Sequence, residues 1–115
     1  MLKIYHNPRC SKSRETLSLL EQHTDKIDII EYLKTPPTAE ELAHLLKMLG
    51  LSARQLLRNK EDEYKQLGLA DSSLTDQQLI EAMALHPKLI ERPIVVHGDK
   101  AAIGRPPSNV LNLLS

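Results

Sequence analysis

The chain of 115 residues has no Trp, no Phe, three Tyr, four Gly and one Cys. With so few large rings, its core must come from Leu and Ile, and with 41% apolar residues there is enough material to build one. A single cysteine excludes an internal disulfide. It also fits a reducing compartment, where a thiol stays free. Neither sign of charge is in surplus: 15 basic residues balance 15 acidic ones. That excludes a general electrostatic grip on nucleic acid, which needs a basic surface, although a local cluster of arginines is still compatible. Long hydrophobic runs are missing as well. Stretches such as Ile94-Val95-Val96 fall far short of the roughly 20 residues of a transmembrane helix, so no membrane association is expected. The opening Met1-Leu2-Lys3-Ile4-Tyr5 lacks the long apolar stretch and cleavage site of a secretory signal, and a cytoplasmic location is expected. No repeats, low-complexity tracts or long linkers divide the chain. Its length predicts one domain over residues 1–115, and a monomer.

Residues 2–5 alternate weakly and predict a short strand, followed by a loop at His6-Asn7-Pro8-Arg9. From Cys10 the pattern becomes helical, with Leu17 and Leu20 on one face and an end near Thr24. Residues 27–32 are β-rich and predict a second strand. After the break at Pro36-Pro37, Thr38 and Glu41 form a capping-box signature. Leu42, Leu45, Leu46 and Leu49 continue it as an apolar stripe at helical spacing, and Gly50 closes the helix. Ser52 with Gln55 and Thr75 with Gln78 repeat the capping signature. The first predicts a short helix through Leu57, the second a longer one burying Leu79, Ile80 and Met83. A turn or two of helix is expected over residues 61–67, stopped by Gly68. Ile94-Val95-Val96, the turn His97-Gly98-Asp99 and residues 100–103 predict a β-hairpin. A closing helix is expected over residues 108–114. The order β-α-β, helices, β-hairpin, helix predicts an α/β fold with a mixed four-stranded sheet.

Cys10 falls between a strand and a helix. A helix N-terminus presents unpaired N–H groups and a partial positive charge, which stabilise a thiolate. Arg9, Lys12 and Arg14 add cationic charge nearby. Ser11 and Ser13 offer hydrogen bonds, and His6 lies four residues upstream. Free cysteines are often simply buried, but a buried apolar cysteine is rarely framed by Pro8-Arg9 and Ser11-Lys12-Ser13-Arg14. The sequence therefore points to Cys10 as a nucleophile. His23, His44, His86 and His97 do not have metal-ligand spacing, and no metal is expected. No glycine-rich phosphate loop is present. The Cys-x5-Arg spacing of low-molecular-weight phosphatases is not met, because Thr16 stands where the arginine would be.

The run from His6 to Arg14 resembles the opening of the glutaredoxin-dependent arsenate reductase family, and in particular its short arsenate-reductase-like subgroup. Leu56-Leu57-Arg58, Tyr64-Lys65-Gln66-Leu67-Gly68-Leu69, Leu89-Ile90-Glu91-Arg92-Pro93-Ile94-Val95-Val96 and Gly104-Arg105-Pro106 resemble that family's later blocks in order and spacing. The resemblance implies a thioredoxin-like fold with a helical insertion between the β-α-β half and the C-terminal hairpin and helix. It implies Cys10 as nucleophile, His6 and Ser13 as active-site residues beside Arg14, and Arg58, Arg92 and Arg105 as oxyanion ligands. Pro93 takes the place of the cis proline that faces the nucleophile in such folds.

The implied chemistry is coherent. Arsenate and a thiolate are both anions, and guanidinium groups offset their repulsion while binding oxyanions bidentately. The resemblance implies reduction of arsenate, or a similar oxyanion, to arsenite through a covalent Cys10 adduct. Glutathione would be the co-substrate and glutaredoxin the resolving partner, with no bound cofactor. One cysteine cannot close an internal disulfide, so the second sulfur must come from outside. Two alternatives stand beside this reading. One is a non-enzymatic regulator of the Spx type, which shares the fold, although Ser13 occupies the second position of the Cys-x-x-Cys switch common there. The other is a thiol-dependent oxidoreductase acting on a different substrate.

Overall fold

A computed structural model describes residues 2–114. The chain divides into two compact units, one of residues 1–35 with 92–115 and the other of residues 36–91.

The first unit holds the sheet. Strand β1 (Leu2–His6) runs into helix α1 (Ser11–Glu21) and then β2 (Ile27–Glu31), and β3 (Ile94–His97) with β4 (Lys100–Ile103) completes it. The strand order is β2-β1-β3-β4. β1 and β2 are parallel, with Leu2 opposite Ile27 and His6 opposite Glu31. β3 lies antiparallel to both β1 and β4, and Ile4 sits opposite Val95. Gly98, at φ 67°, supplies the left-handed residue that the tight β3–β4 turn requires. A 3-10 helix (Pro107–Leu113) ends the unit.

Alternation along β1 puts Leu2 and Ile4 on one face of the sheet. There they join Val95, Leu20 of α1, and Val110 and Leu113 of the 3-10 helix in one buried cluster. Leu17, Ile27 and Ala102 pack at its margin. Each fully buried Leu, Ile or Val in this cluster contributes about 1.5–3 kcal/mol of burial free energy. This aliphatic core fixes α1 on the sheet, and with it the loop that joins β1 to α1.

The second unit is helical: α2 (Ala39–Leu49), α3 (Ala53–Leu56), α4 (Asp62–Gln66), α5 (Asp76–Leu85) and a 3-10 turn (Pro87–Leu89). All three capping boxes form as the spacing predicts, on Thr38, Ser52 and Thr75. Gly50 closes α2 at φ 68°, with the Leu51 N–H donating to the Leu46 carbonyl at 3.1 Å. α5 packs against α2 and α3 through Leu79, Ile80 and Met83. Arg54 of α3 braces the following loop by donating to the carbonyls of Leu69 (2.9 Å) and Asp71 (3.0 Å). Leu57 pairs with Ile90 in an isolated antiparallel bridge, and the Arg58 N–H donates to the Leu89 carbonyl at 2.7 Å.

Several boundaries differ from the sequence expectation: β1 takes in His6, expected in the loop, and α3 stops at Leu56, where Leu57 turns to extended backbone. The first helix ends at Glu21 rather than near Thr24, although Thr24 still donates back to the Leu20 carbonyl at 3.0 Å. The second strand ends at Glu31, one residue early. The closing helix begins at Pro107 and is a 3-10 helix. Its buried residues Val110 and Leu113 are three apart, a spacing that serves a threefold helix as well as an α-helix. Among the described residues, no helix is long and apolar enough to cross a membrane.

Candidate active site

Cys10 is the N-cap residue of α1, in extended conformation at φ −95° and ψ 123°. Its N–H donates to the Asn7 carbonyl at 3.0 Å, and its own carbonyl accepts from the Arg14 N–H at 3.0 Å. The loop from His6 to Cys10 is thereby drawn into a turn with the thiol at the head of the helix. Its relative exposure is 8%, so the residue is largely shielded from solvent.

Three further contacts set the shape of this loop. The Asn7 side-chain oxygen accepts from the Arg9 N–H at 3.0 Å, an Asx turn that starts the bend. The Asn7 N–H donates to Ser13 Oγ at 3.0 Å. Ser13 Oγ also lies 2.7 Å from His6 Nδ1, and both side chains are buried. A hydroxyl has one hydrogen to give and can accept in return. In the Nε2–H tautomer of a neutral His6, Ser13 donates to Nδ1 while accepting from Asn7. Burial pushes the His6 pKa below its ordinary 6.5 and Arg14 adds to this, while Glu31 and Glu21 pull the other way.

Arg14 is exposed, and its guanidinium donates to the Pro8 carbonyl at 3.0 Å, clamping the loop from outside. Lys12 forms an exposed pair with Glu15 at 3.8 Å.

Arg105 approaches Cys10 from the far end of the sequence. Its Nη2 stands 3.7 Å from Cys10 Sγ, and its Nε donates to the Arg92 carbonyl at 2.8 Å. One guanidinium thus spans the thiol and the segment that leads into β3. Arg92 has Nε and Nη1 buried. The Arg92–Pro93 and Arg105–Pro106 peptide bonds are both cis.

Of the residues singled out in the sequence, the first unit joins Cys10 with Arg105, Arg105 with the backbone of Arg92, His6 with Ser13, and Arg14 with the Cys10 loop. Arg58 belongs to the second unit. There its guanidinium faces Glu61 at 3.7 Å and Glu91 at 3.8 Å, with the side chain about a quarter exposed (23%). Among the described residues, no three His, Cys, Asp or Glu side chains converge as a metal site requires.

Sequence reasoning missed two residues that shape this site. Thr16, noted only for standing where a phosphatase arginine would be, is completely buried. Gly104 is packed directly against it. The one available signal was that Gly104 immediately precedes Arg105.

A β-α-β unit joined to a β-hairpin, with a cysteine at the head of the first helix and an arginine on its sulfur, defines a thioredoxin-like thiol protein. A profile of the ArsC family matches residues 5–113, and the chain belongs to that family. It is 59% identical over 114 residues to the uncharacterized protein YfgD of Escherichia coli strain K12, covering 98% of this chain and 96% of that one. It is 51% identical over 110 residues to an arsenate reductase of Neisseria meningitidis strain Z2491, covering 95% and 94%. The solved structure of an arsenate reductase from Vibrio cholerae superposes with a TM-score of 0.94 at 55% identity, covering 97% of this chain and 96% of that chain.

Proposed function

We propose that this chain reduces arsenate to arsenite, with Cys10 as the nucleophile. The observation that carries the reading is the Arg105 guanidinium 3.7 Å from Cys10 Sγ. A cation at that distance holds an incoming oxyanion where the thiolate can reach it, and it offsets the repulsion between the two anions. The family relationship supports arsenate as that oxyanion.

In the first step the Cys10 thiolate attacks As(V), and a protonated arsenate oxygen leaves as water, giving a covalent thiol–arsenate adduct. In the second step glutathione attacks the Cys10 sulfur. An S–S bond forms, the S–As electron pair passes to arsenic, and arsenite leaves. Glutaredoxin then reduces the mixed disulfide and returns Cys10 to its thiol. The lone cysteine supports an external second thiol, since two electrons must come from two sulfurs.

In this scheme Arg105 binds the oxyanion and steadies the charge that develops on it. Arg92, in the same unit, is a further oxyanion ligand. His6 and Ser13 keep the loop in the conformation that presents the sulfur, and Arg14 secures it from the solvent side. Pro93 shapes the backbone ahead of β3.

The test is arsenate-dependent NADPH oxidation coupled through glutaredoxin, glutathione and glutathione reductase. Wild-type protein is expected to turn over, and Cys10→Ser is expected to be inactive with its fold retained. Equal turnover in both proteins would contradict the assignment.

A further inference from the structure

Arg105 can act on the Cys10 sulfur only if the chain near residue 104 is held at a fixed distance from α1. The two residues are 95 positions apart in sequence. The structure shows what sets the spacing. Thr16, a turn and a half into the helix that Cys10 caps, is buried with no exposure. Its hydroxyl donates to the Lys12 carbonyl at 2.8 Å, and the Gly104 carbonyl lies 3.4 Å from the same oxygen.

Gly104 is the opposing surface. It is buried, and its N–H donates to the Pro93 carbonyl at 2.9 Å. Its backbone is outside the left-handed region that Gly50, Gly68 and Gly98 occupy, so conformation does not require a glycine here. Space does. A Cβ on Gly104 would lie 2.9 Å from Pro93 Cγ and 2.9 Å from Thr16 Cγ2, and closer still to Thr16 Oγ1. Carbon contacts that short lie far inside the optimum of about 3.5–4.0 Å, so the helix and the strand end would have to move apart. Arg105 is the next residue. Its Nε is tied to the Arg92 carbonyl, one residue before Pro93, so the displacement passes directly to the guanidinium.

We infer that Thr16 and Gly104 are positioning residues: their close contact seats the Gly104–Arg105 backbone on α1 and so fixes the Arg105 guanidinium against Cys10. The inference rests on the reading that Arg105 receives an anion at Cys10. Neither residue touches the reacting atoms. Their effect is carried by backbone placement, because Arg105 follows Gly104 directly and Thr16 sits on the helix that Cys10 caps.

The test compares alkylation of Cys10 in the full chain by iodoacetate, an anion, and iodoacetamide, its neutral analogue. The ratio of the two rates reports the cation beside the sulfur, and it needs no arsenate. Each variant is measured well below its own unfolding temperature. Replacing the cation in Arg105→Gln is expected to lower the ratio about fivefold, the effect of one solvent-screened charge near 4 Å. Gly104→Ala is expected to lower it several-fold, and Thr16→Ala in that background to raise it again by removing two of the three clashing atoms. Should Gly104→Ala not fold, Thr16→Ala alone, which loosens the seat from the other side, is also expected to lower the ratio. A lowered ratio in Arg105→Gln with wild-type ratios in the folded Gly104 and Thr16 variants would overturn the positioning inference alone. An unchanged ratio in Arg105→Gln would overturn the reading of the site on which it rests.

Discussion

Ser13 Oγ sits 2.7 Å from His6 Nδ1 in a buried pocket, and the same oxygen accepts the Asn7 N–H at 3.0 Å. One hydroxyl therefore joins the end of β1, the start of the thiol loop and the first turn of α1. The Cys10 loop is held by this link on its inner side and by Arg14 on Pro8 on its outer side.

Removing that hydroxyl leaves a backbone N–H and a ring nitrogen without their shared partner in a buried site. Ser13→Ala is expected to lower unfolding free energy by about 1–3 kcal/mol. Urea titration with an unchanged m-value checks this, and a midpoint equal to wild type would contradict it.

Burial holds the folded-state pKa of His6 below its ordinary 6.5. Just below pH 6.5 the unfolded chain therefore takes up a proton that folded His6 resists. Stability from this group is complete above that pH and is lost as pH falls toward the folded-state value. Urea midpoints are expected to decline as pH drops from 7.5 to about 5.5, with a shallower decline in His6→Gln. Identical slopes in the two proteins would contradict the assignment to His6.

Arg105 places Nε on the Arg92 carbonyl and Nη2 beside Cys10 Sγ. A lysine carries the charge on one atom and cannot occupy both positions. Arg105→Lys is expected to lose about tenfold in kcat/KM for arsenate, and Arg105→Gln more, in the coupled assay. Full activity in Arg105→Lys would show that charge alone suffices.

Gly50 ends α2 at φ 68°, and no described atom lies within 4 Å of the position a Cβ would take, so Gly50→Ala isolates backbone strain from packing. The expected cost is about 1 kcal/mol, read as a shift in the urea midpoint. A neutral result would mean that the cap relaxes out of the left-handed conformation.

What the sequence made legible was local. Each capping box joins residues three apart, so Thr38 with Glu41, Ser52 with Gln55 and Thr75 with Gln78 could be recognised without tertiary knowledge, and all three form. The β3–β4 hairpin was readable for the same reason. The end of α1 was not, because residues 22–24 keep making turn-like bonds to Ser18 and Leu20 after the helix stops. The 3-10 character of residues 107–113 was hidden because Val110 and Leu113 suit either helix. The site followed the same division. Cys10 at a strand–helix junction was visible from its neighbours, whereas Arg105 became a candidate only through family resemblance, since nothing local ties it to a thiol 95 residues away. The Thr16–Gly104 contact spans 88 residues, and its one trace in the sequence is the place of Gly104 just before Arg105.

The central claim is that Cys10 carries arsenate chemistry, and intact-protein mass spectrometry after incubation with glutathione, with and without arsenate, tests it most directly. The expected result is one glutathione per chain, attached at Cys10 and formed much faster when arsenate is present. Attachment at the same rate without arsenate, or none at all in its presence, would contradict the account.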